Sequence, residues 1–435
     1  MRAFNGRLAG LVALAFAAVA GACTETIDDG AACSAAAALC PGQEVEIRDT
    51  IISPVLEWDS TFVGFPTRGN EFLLPLIAAG DTVKTNAIVR FDSLTTFYLP
   101  PLDTARGIVK IDSTRLRLTL ELSRSRIPDS VRIDVYDVDH GGADDTASAP
   151  VLARFIPKYR IGGATFAKAN IVDSLYVPLS DSAVLAHIRD TTAVTKARMR
   201  VGIGITGIGG PAWFRIGTVE SGVPVVLRYR PATDSGVVAT TVNAASTGPS
   251  DRPDIKRDLM DYALLARNTL PDKPGTMALG GMPGRRVYMR FNVPRRITDS
   301  TTVVRATLRL NQVPFPFGGV ADTVFIHPHV VLASANVTDA RRASQLIGLT
   351  GLIVTDSLIL TPRESGQRSL ELYPLVRAWA AQASLASPPV RALVLTASYE
   401  GTIPSIVTFS GMAGPAALRP TMRITYIPKV QFGVP

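Results

Sequence analysis

Leu116-Arg117-Leu118-Thr119-Leu120-Glu121-Leu122 alternates leucine with a polar residue over seven positions. A β-strand turns successive side chains to opposite faces. This stretch therefore carries four leucines on one face and Arg117, Thr119 and Glu121 on the other. Val131, Ile133 and Val135 alternate with Arg132, Asp134 and Tyr136 in the same way, and Ala306, Leu308 and Leu310 with Thr307, Arg309 and Asn311. Strands with one greasy and one wet face suit antiparallel sheets, and two such sheets bury their greasy faces against each other. The expected fold class is all-β, with antiparallel sandwiches of jelly-roll type and a few short helices.

Working outward, the chain repeats itself. Ala87-Ile88-Val89-Arg90-Phe91 returns as Val287-Tyr288-Met289-Arg290-Phe291, 200 residues later. Leu116-Arg117-Leu118 returns as Leu308-Arg309-Leu310, and Val177-Pro178-Leu179 as Tyr373-Pro374-Leu375. Val225 to Pro231 matches Met422 to Pro428. Four matches in one order with nearly one offset predict two copies of one domain. The expected boundaries are a first sandwich over 44–231, a linker rich in Thr, Ser, Ala and Gly over 232–250, and a second sandwich over 251–430. Helices are expected at Leu375 to Ala383 and, capped, at Ser180 to Ile188. Asp254 to Arg267 has Ile255, Leu259 and Tyr262 at helical spacing, although its counterpart near Asp49 reads extended.

The 435 residues hold 45 Lys+Arg and 37 Asp+Glu, a net charge of +8 carried mostly by single arginines inside alternating segments. No basic run of the kind that grips nucleic acid occurs, so no nucleic-acid partner is expected. Arg2 and Arg7 precede the apolar run Leu8 to Ala20, which ends at Ala20-Gly21-Ala22-Cys23. That pattern reads as a signal peptide over 1–22, with small residues before a cysteine as in a bacterial lipobox. An ordinary A-x-A cleavage site fits the same residues. Cysteine parity favours lipid. With Cys23 acylated, Cys33 and Cys40 remain as a candidate disulfide, whereas a free Cys23 leaves an odd thiol in an oxidising compartment. Residues 23–43 then form a lipidated tether. Thr24, rather than Asp, after the cysteine points to an outer-membrane lipoprotein of the cell envelope.

A family resemblance follows from the second copy. Tyr288-Met289-Arg290-Phe291-Asn292-Val293-Pro294, Val304 to Leu310, Leu372 to Trp379 and Arg419 to Tyr426 resemble the DNRLRE-type (disaggregatase-related) β-sandwich, a family grouped with carbohydrate-binding modules. Those stretches span most of Gly281 to Pro428. Copy one departs from the pattern at Ser180 and Asp181, lacks the tryptophan, and lacks the Arg-Pro lead-in to its last strand. The resemblance implies a sandwich that binds glycan.

Chemistry-bearing residues are few. Stacking on sugar rings needs aromatic faces, and the candidates are Trp58, Tyr98, Trp213, Phe315, Phe317 and Tyr399. Asp134, Asp137, Asp139, Asp144 and Asp145 crowd a strand end and a glycine-bearing loop, a candidate for weak Ca²⁺ binding whose bland alternative is a solvated acidic turn. No other cofactor is expected. His327 and His329 share a strand face but lack a third ligand nearby in sequence. Gly202-Ile203-Gly204-Ile205-Thr206-Gly207 satisfies G-x-G-x-x-G without the βαβ unit that a dinucleotide site needs. No hydrolase motif occurs, and no catalytic residue is assigned. The expected function is a non-enzymatic envelope lipoprotein that binds glycan or another extracellular polymer. One alternative is a structural or adhesive envelope protein with protein partners; another is a hydrolase of envelope polymers.

Overall fold

The computed structural model describes residues 46–66, 68–69, 71–99, 104–140, 148–190, 197–232, 241–245, 261–270, 273–317, 322–331, 356–382 and 391–429. The signal peptide, the tether with Cys23, Cys33 and Cys40, and Asp144 and Asp145 lie outside the described residues.

Two strands lead, β1 (Arg48–Ile52) and β2 (Leu56–Phe65). Next come β3 (Leu73–Ala79), β4 (Val83–Phe91), β5 (Phe97–Tyr98), β6 (Arg106–Gly107), β7 (Ile111–Arg126) and β8 (Ser130–Asp137). After helix α1 (Ser148–Leu152) come β9 (Arg160–Ala167), β10 (Ser174–Pro178) and α2 (Asp181–Arg189). This half closes with β11 (Met199–Ile208), β12 (Ala212–Gly217) and β13 (Val226–Pro231), followed by β14 (Val242–Ala245) and β15 (Asp261–Asn268). The second half runs β16 (Thr276–Gly280), β17 (Gly284–Phe291), α3 (Arg295–Asp299), β18 (Thr301–Val313), β19 (Val324–Val330) and β20 (Leu358–Leu360). It ends with β21 (Gly366–Glu371), α4 (Tyr373–Gln382), β22 (Ala392–Ala397), β23 (Ile406–Ser410) and β24 (Thr421–Pro428).

Apart from the small β5–β6 hairpin, these strands form two antiparallel networks, the tandem sandwiches expected from the alternation. The first has the order β14-β13-β7-β12-β3-β4-β11-β8-β9, with β10 added to β7 and β15 to β4. The second has the order β1-β24-β18-β23-β16-β17-β22-β19-β20, with β21 added to β18 and β2 to β17. Position by position the two orders are the same, with β4 answering to β17, β7 to β18 and β13 to β24. The long strand β7 serves both layers of its sandwich: its first part pairs with β10 and β13, and its end with β12. Leu116 and Leu118 are fully buried in one core, and Leu308 and Leu310 in the other.

The division of strands departs from the boundaries expected at 231 and 251. In each copy the two leading strands join the other copy's sandwich. β1 pairs with β24 and β2 with β17, whereas β14 pairs with β13 and β15 with β4. Asp59 lies opposite Met289 and Asp261 opposite Val89, so β2 and β15 occupy matching places on matching strands. The first sandwich is thus built from the contiguous stretch 73–268 and is inserted into a second made of 48–65 and 276–428. The segment expected as linker contains β14, and Asp261 to Asn268, with its ambiguous spacing, is a strand. Pairing decides this: β15 satisfies backbone groups along one edge of β4, which a helix cannot do.

The two expected helices form. Ser180 Oγ accepts a hydrogen bond from Ala183 N at 3.4 Å, the N-cap of α2, and α4 plugs the second core with Trp379, whose ring lies 5.4 Å from that of Phe291. The G-x-G-x-x-G stretch is the middle of β11. A Cβ on Gly202 would overlap the ring of Phe155, so that glycine serves close packing rather than a phosphate.

Candidate functional site: a basic cleft between the sandwiches

The six aromatic candidates do not form a row on one sheet. Trp58 is half-buried, 6.4 Å from Phe62 on an outer-face cluster with Tyr288. Tyr98 packs its ring against the first core, and Phe315 is buried. Trp213, Phe317 and Tyr399, however, come together where the two sandwiches meet. Trp213 and Phe317 rings are 6.4 Å apart, one from each sandwich. Tyr399 lies in the turn between β22 and β23 at φ 61°, left-handed for a residue with a Cβ. Arg124 and Arg215 of the first sandwich stack on its ring at 4.6 and 5.1 Å. Arg124 also covers Phe325 and donates to the Thr323 carbonyl at 2.9 Å. Cations over aromatic faces hold the junction together.

Beside this junction lies a cavity of about 680 Å³. Its walls come from the β3–β4 turn, the end of β7, the β11–β12 turn and, across the gap, Pro316, Phe317 and Arg363. Four cations line it, Lys84, Arg126, Arg267 and Arg363, and no carboxylate does. Arg267, which the exchanged strand β15 brings into the cleft, is paired with Asp81 at 2.7 Å on the rim. Arg126 stacks on Trp213 at 5.4 Å. Among the described residues no carboxylate forms an ion pair with Lys84, Arg126 or Arg363. Concave walls concentrate the field of unpaired cations and draw in anions. The four cations escape sequence reasoning because each is an isolated residue; only the fold gathers 84, 126, 267 and 363. The polar positions of the alternating strands were the available signal.

The acidic candidates are engaged with cations. Asp134 pairs with Arg132 at 3.0 Å and Arg160 at 2.9 Å, and Asp137 meets His187 Nε2 at 2.9 Å. Burial of the His187 ring opposes its charge, but the Asp137 carboxylate prevails and holds the His187 pKa above its ordinary value. Asp139 accepts two hydrogen bonds from Arg198, at 2.7 and 3.0 Å. Among the described residues no group of three His, Cys, Asp or Glu is arranged to hold a metal. His327 Nε2 meets Ser398 Oγ at 2.8 Å and His329 Nε2 meets Thr396 Oγ1 at 3.1 Å. No helix among the described residues is long and apolar enough to cross a membrane.

No protein-family model matches the chain, and no curated protein does. Solved structures with some likeness include viral particles. The T13 IBDV particle shares 10% identity over 88% of this chain and 74% of that one, at a TM-score of 0.14. The infectious bursal disease virus Gt strain shares 10% over 91% of this chain and 78% of that one, at 0.12.

Proposed function

We propose that this protein is a non-catalytic, exported lipoprotein that binds an anionic extracellular polymer, an acidic glycan foremost, in the cleft between its sandwiches. The carrying observation is the cavity lined by Lys84, Arg126, Arg267 and Arg363 with no carboxylate among its walls. A neutral sugar needs exposed aromatic platforms. Trp213 is only 4% exposed beneath Arg126, so charge rather than stacking supports binding here. The A-G-A-C motif and the parity of three cysteines support acylation of Cys23 and a place at the outer membrane.

Affinity electrophoresis through gels containing alginate or chondroitin sulfate, with dextran as neutral control, tests the cleft. The acidic gels are expected to retard the chain, and added salt to release it. Lys84→Ser with Arg363→Ser is expected to weaken retardation about thirtyfold, since each removes a charge worth about 1 kcal/mol at a partly exposed site. Arg363 is exposed and Lys84 partly exposed, and neither belongs to a core, so the melting temperature should hold. Equal retardation of the double variant would sink the cleft. A protein-binding envelope component is the second reading, favoured because the six aromatic candidates form no row on one sheet. Retardation by neither class of polymer, with capture of a protein partner, would establish it.

A further inference from the structure

The connection from β4 to β7 takes nineteen residues, 92–110, and carries the β5–β6 hairpin. Its counterpart between β17 and β18 takes nine, 292–300, and closes with the single turn of α3. The hairpin is therefore an addition that the sandwich does not need in order to close.

Its two faces differ in an unusual way. Phe97 pairs with Gly107 and Tyr98 with Arg106. By the two-residue period, Tyr98 and Ile108 face one side, and Phe97, Leu99 and Val109 the other. The first side packs on the core, with Ile108 4% exposed. The second is open: Phe97 is 59%, Leu99 68% and Val109 59% exposed. The base is rigidly held. Ile108 N donates to Thr96 O at 2.9 Å, Tyr229 Oη donates to Thr95 O at 2.8 Å, and Arg189 donates to the Val109 carbonyl. Lys110, next in sequence to Val109, and Arg189, bonded to the Val109 carbonyl, are both exposed.

We propose that this face is a membrane-docking surface, with Phe97, Leu99 and Val109 entering the headgroup boundary of an anionic bilayer and Lys110 and Arg189 meeting its charge. Apolar tips flanked by cations are what an interface rewards, since hydrocarbon burial and attraction to acidic lipid act together. Three side chains fall far short of the roughly 800 Å² per partner that a stable protein interface buries, which disfavours a second copy as occupant. The inference shares with the proposed function the setting near a membrane, and nothing of the cleft.

Flotation with vesicles tests it, using the unacylated chain from Thr24 onward, which keeps every described strand. Vesicles of phosphatidylcholine with phosphatidylglycerol are expected to carry the chain, and phosphatidylcholine alone to carry far less. Phe97→Ser with Leu99→Ser should lower partitioning about tenfold or more, as expected for losing two large apolar groups. Leu99→Ser alone should show part of that loss, and Lys110→Gln a reduced preference for the acidic lipid. Equal flotation of the double serine variant, no flotation with either vesicle, or indifference to lipid charge would overturn the proposal. So would self-association without vesicles that the same variants abolish. Cleft variants should float normally, so failure here leaves polymer binding standing, and failure there leaves this face standing.

Discussion

Glu71 shows how one residue secures the exchange of strands. Its carboxylate is 4% exposed and accepts from Gly69 N at 2.5 Å and from Ala263 N, on β15, at 3.4 Å. Burial pushes its pKa up to about 7 from an ordinary 4.5. Between those values the unfolded chain has lost the proton that the folded chain keeps, so stability falls as pH rises through the window and levels off above about 7. The span corresponds to about 3 kcal/mol at most. Glu71→Gln, which removes the titrating group and keeps an acceptor oxygen for one of the two amides, is expected to flatten that slope in melts across the window. An unchanged slope would refute this. Arg200 is the complementary case. It is fully buried on β11, its three guanidinium nitrogens have no hydrogen-bond partner, and burial lowers its pKa. Its counterpart on β22, by pairing with Arg290 as Arg200 pairs with Arg90, is Ala392. An unsatisfied buried charge is a net cost. Arg200→Met is expected to raise stability by about 1–3 kcal/mol in denaturant titration; a loss would show that the charge is compensated.

At the scale of elements, alternation and capping carried most of the information. Leu116 to Leu122 and Val131 to Val135 became β7 and β8 with the expected residues inward, because burial of one face leaves a period-two segment no other register. α4 formed where helix formers surround Trp379, which is 5% exposed in the second core. Trp379→Ala is expected to cost about 3–5 kcal/mol by leaving a cavity, lowering the thermal midpoint. A loss under about 1 kcal/mol would place the ring outside the core. Asp261 to Asn268 shows the limit of periodicity. Tyr262, Ala263 and Leu264 are all buried because β15 is greasy on both faces, and a short two-faced run looks alike as strand or helix.

At the scale of the molecule, the exchange of leading strands changes what counts as a domain. The stretch 69–270 holds the whole first sandwich, including β14 and β15. Produced alone, it is expected to fold, with one cooperative melt and dispersed amide resonances. The stretch 44–231 carries β1 and β2 without their partners and exposes the edge of β4 that β15 covers, so aggregation or a broad melt is expected. The reverse outcome would mean the strands return to their own copies when separated. The junction also sets the candidate site. Each cleft cation was visible as a residue, but its neighbours were not, nor that Lys84, Arg126 and Arg363 lack a carboxylate partner among the described residues, because those depend on how β3, β7, β11 and the 363 turn approach one another.

What the sequence determined by itself is local and periodic: alternation dictates strands with a greasy face, a constant offset dictates two like sandwiches, and caps and helix formers place α2 and α4. Tertiary structure alone decided which sandwich receives β1, β2, β14 and β15, which aromatics are covered, and which cations share a cavity. The physical reason is that backbone pairing along a strand edge is nearly blind to side-chain identity. Equivalent strands from either copy fit equivalent edges, and the choice between them rests on contacts spread across the whole assembled chain.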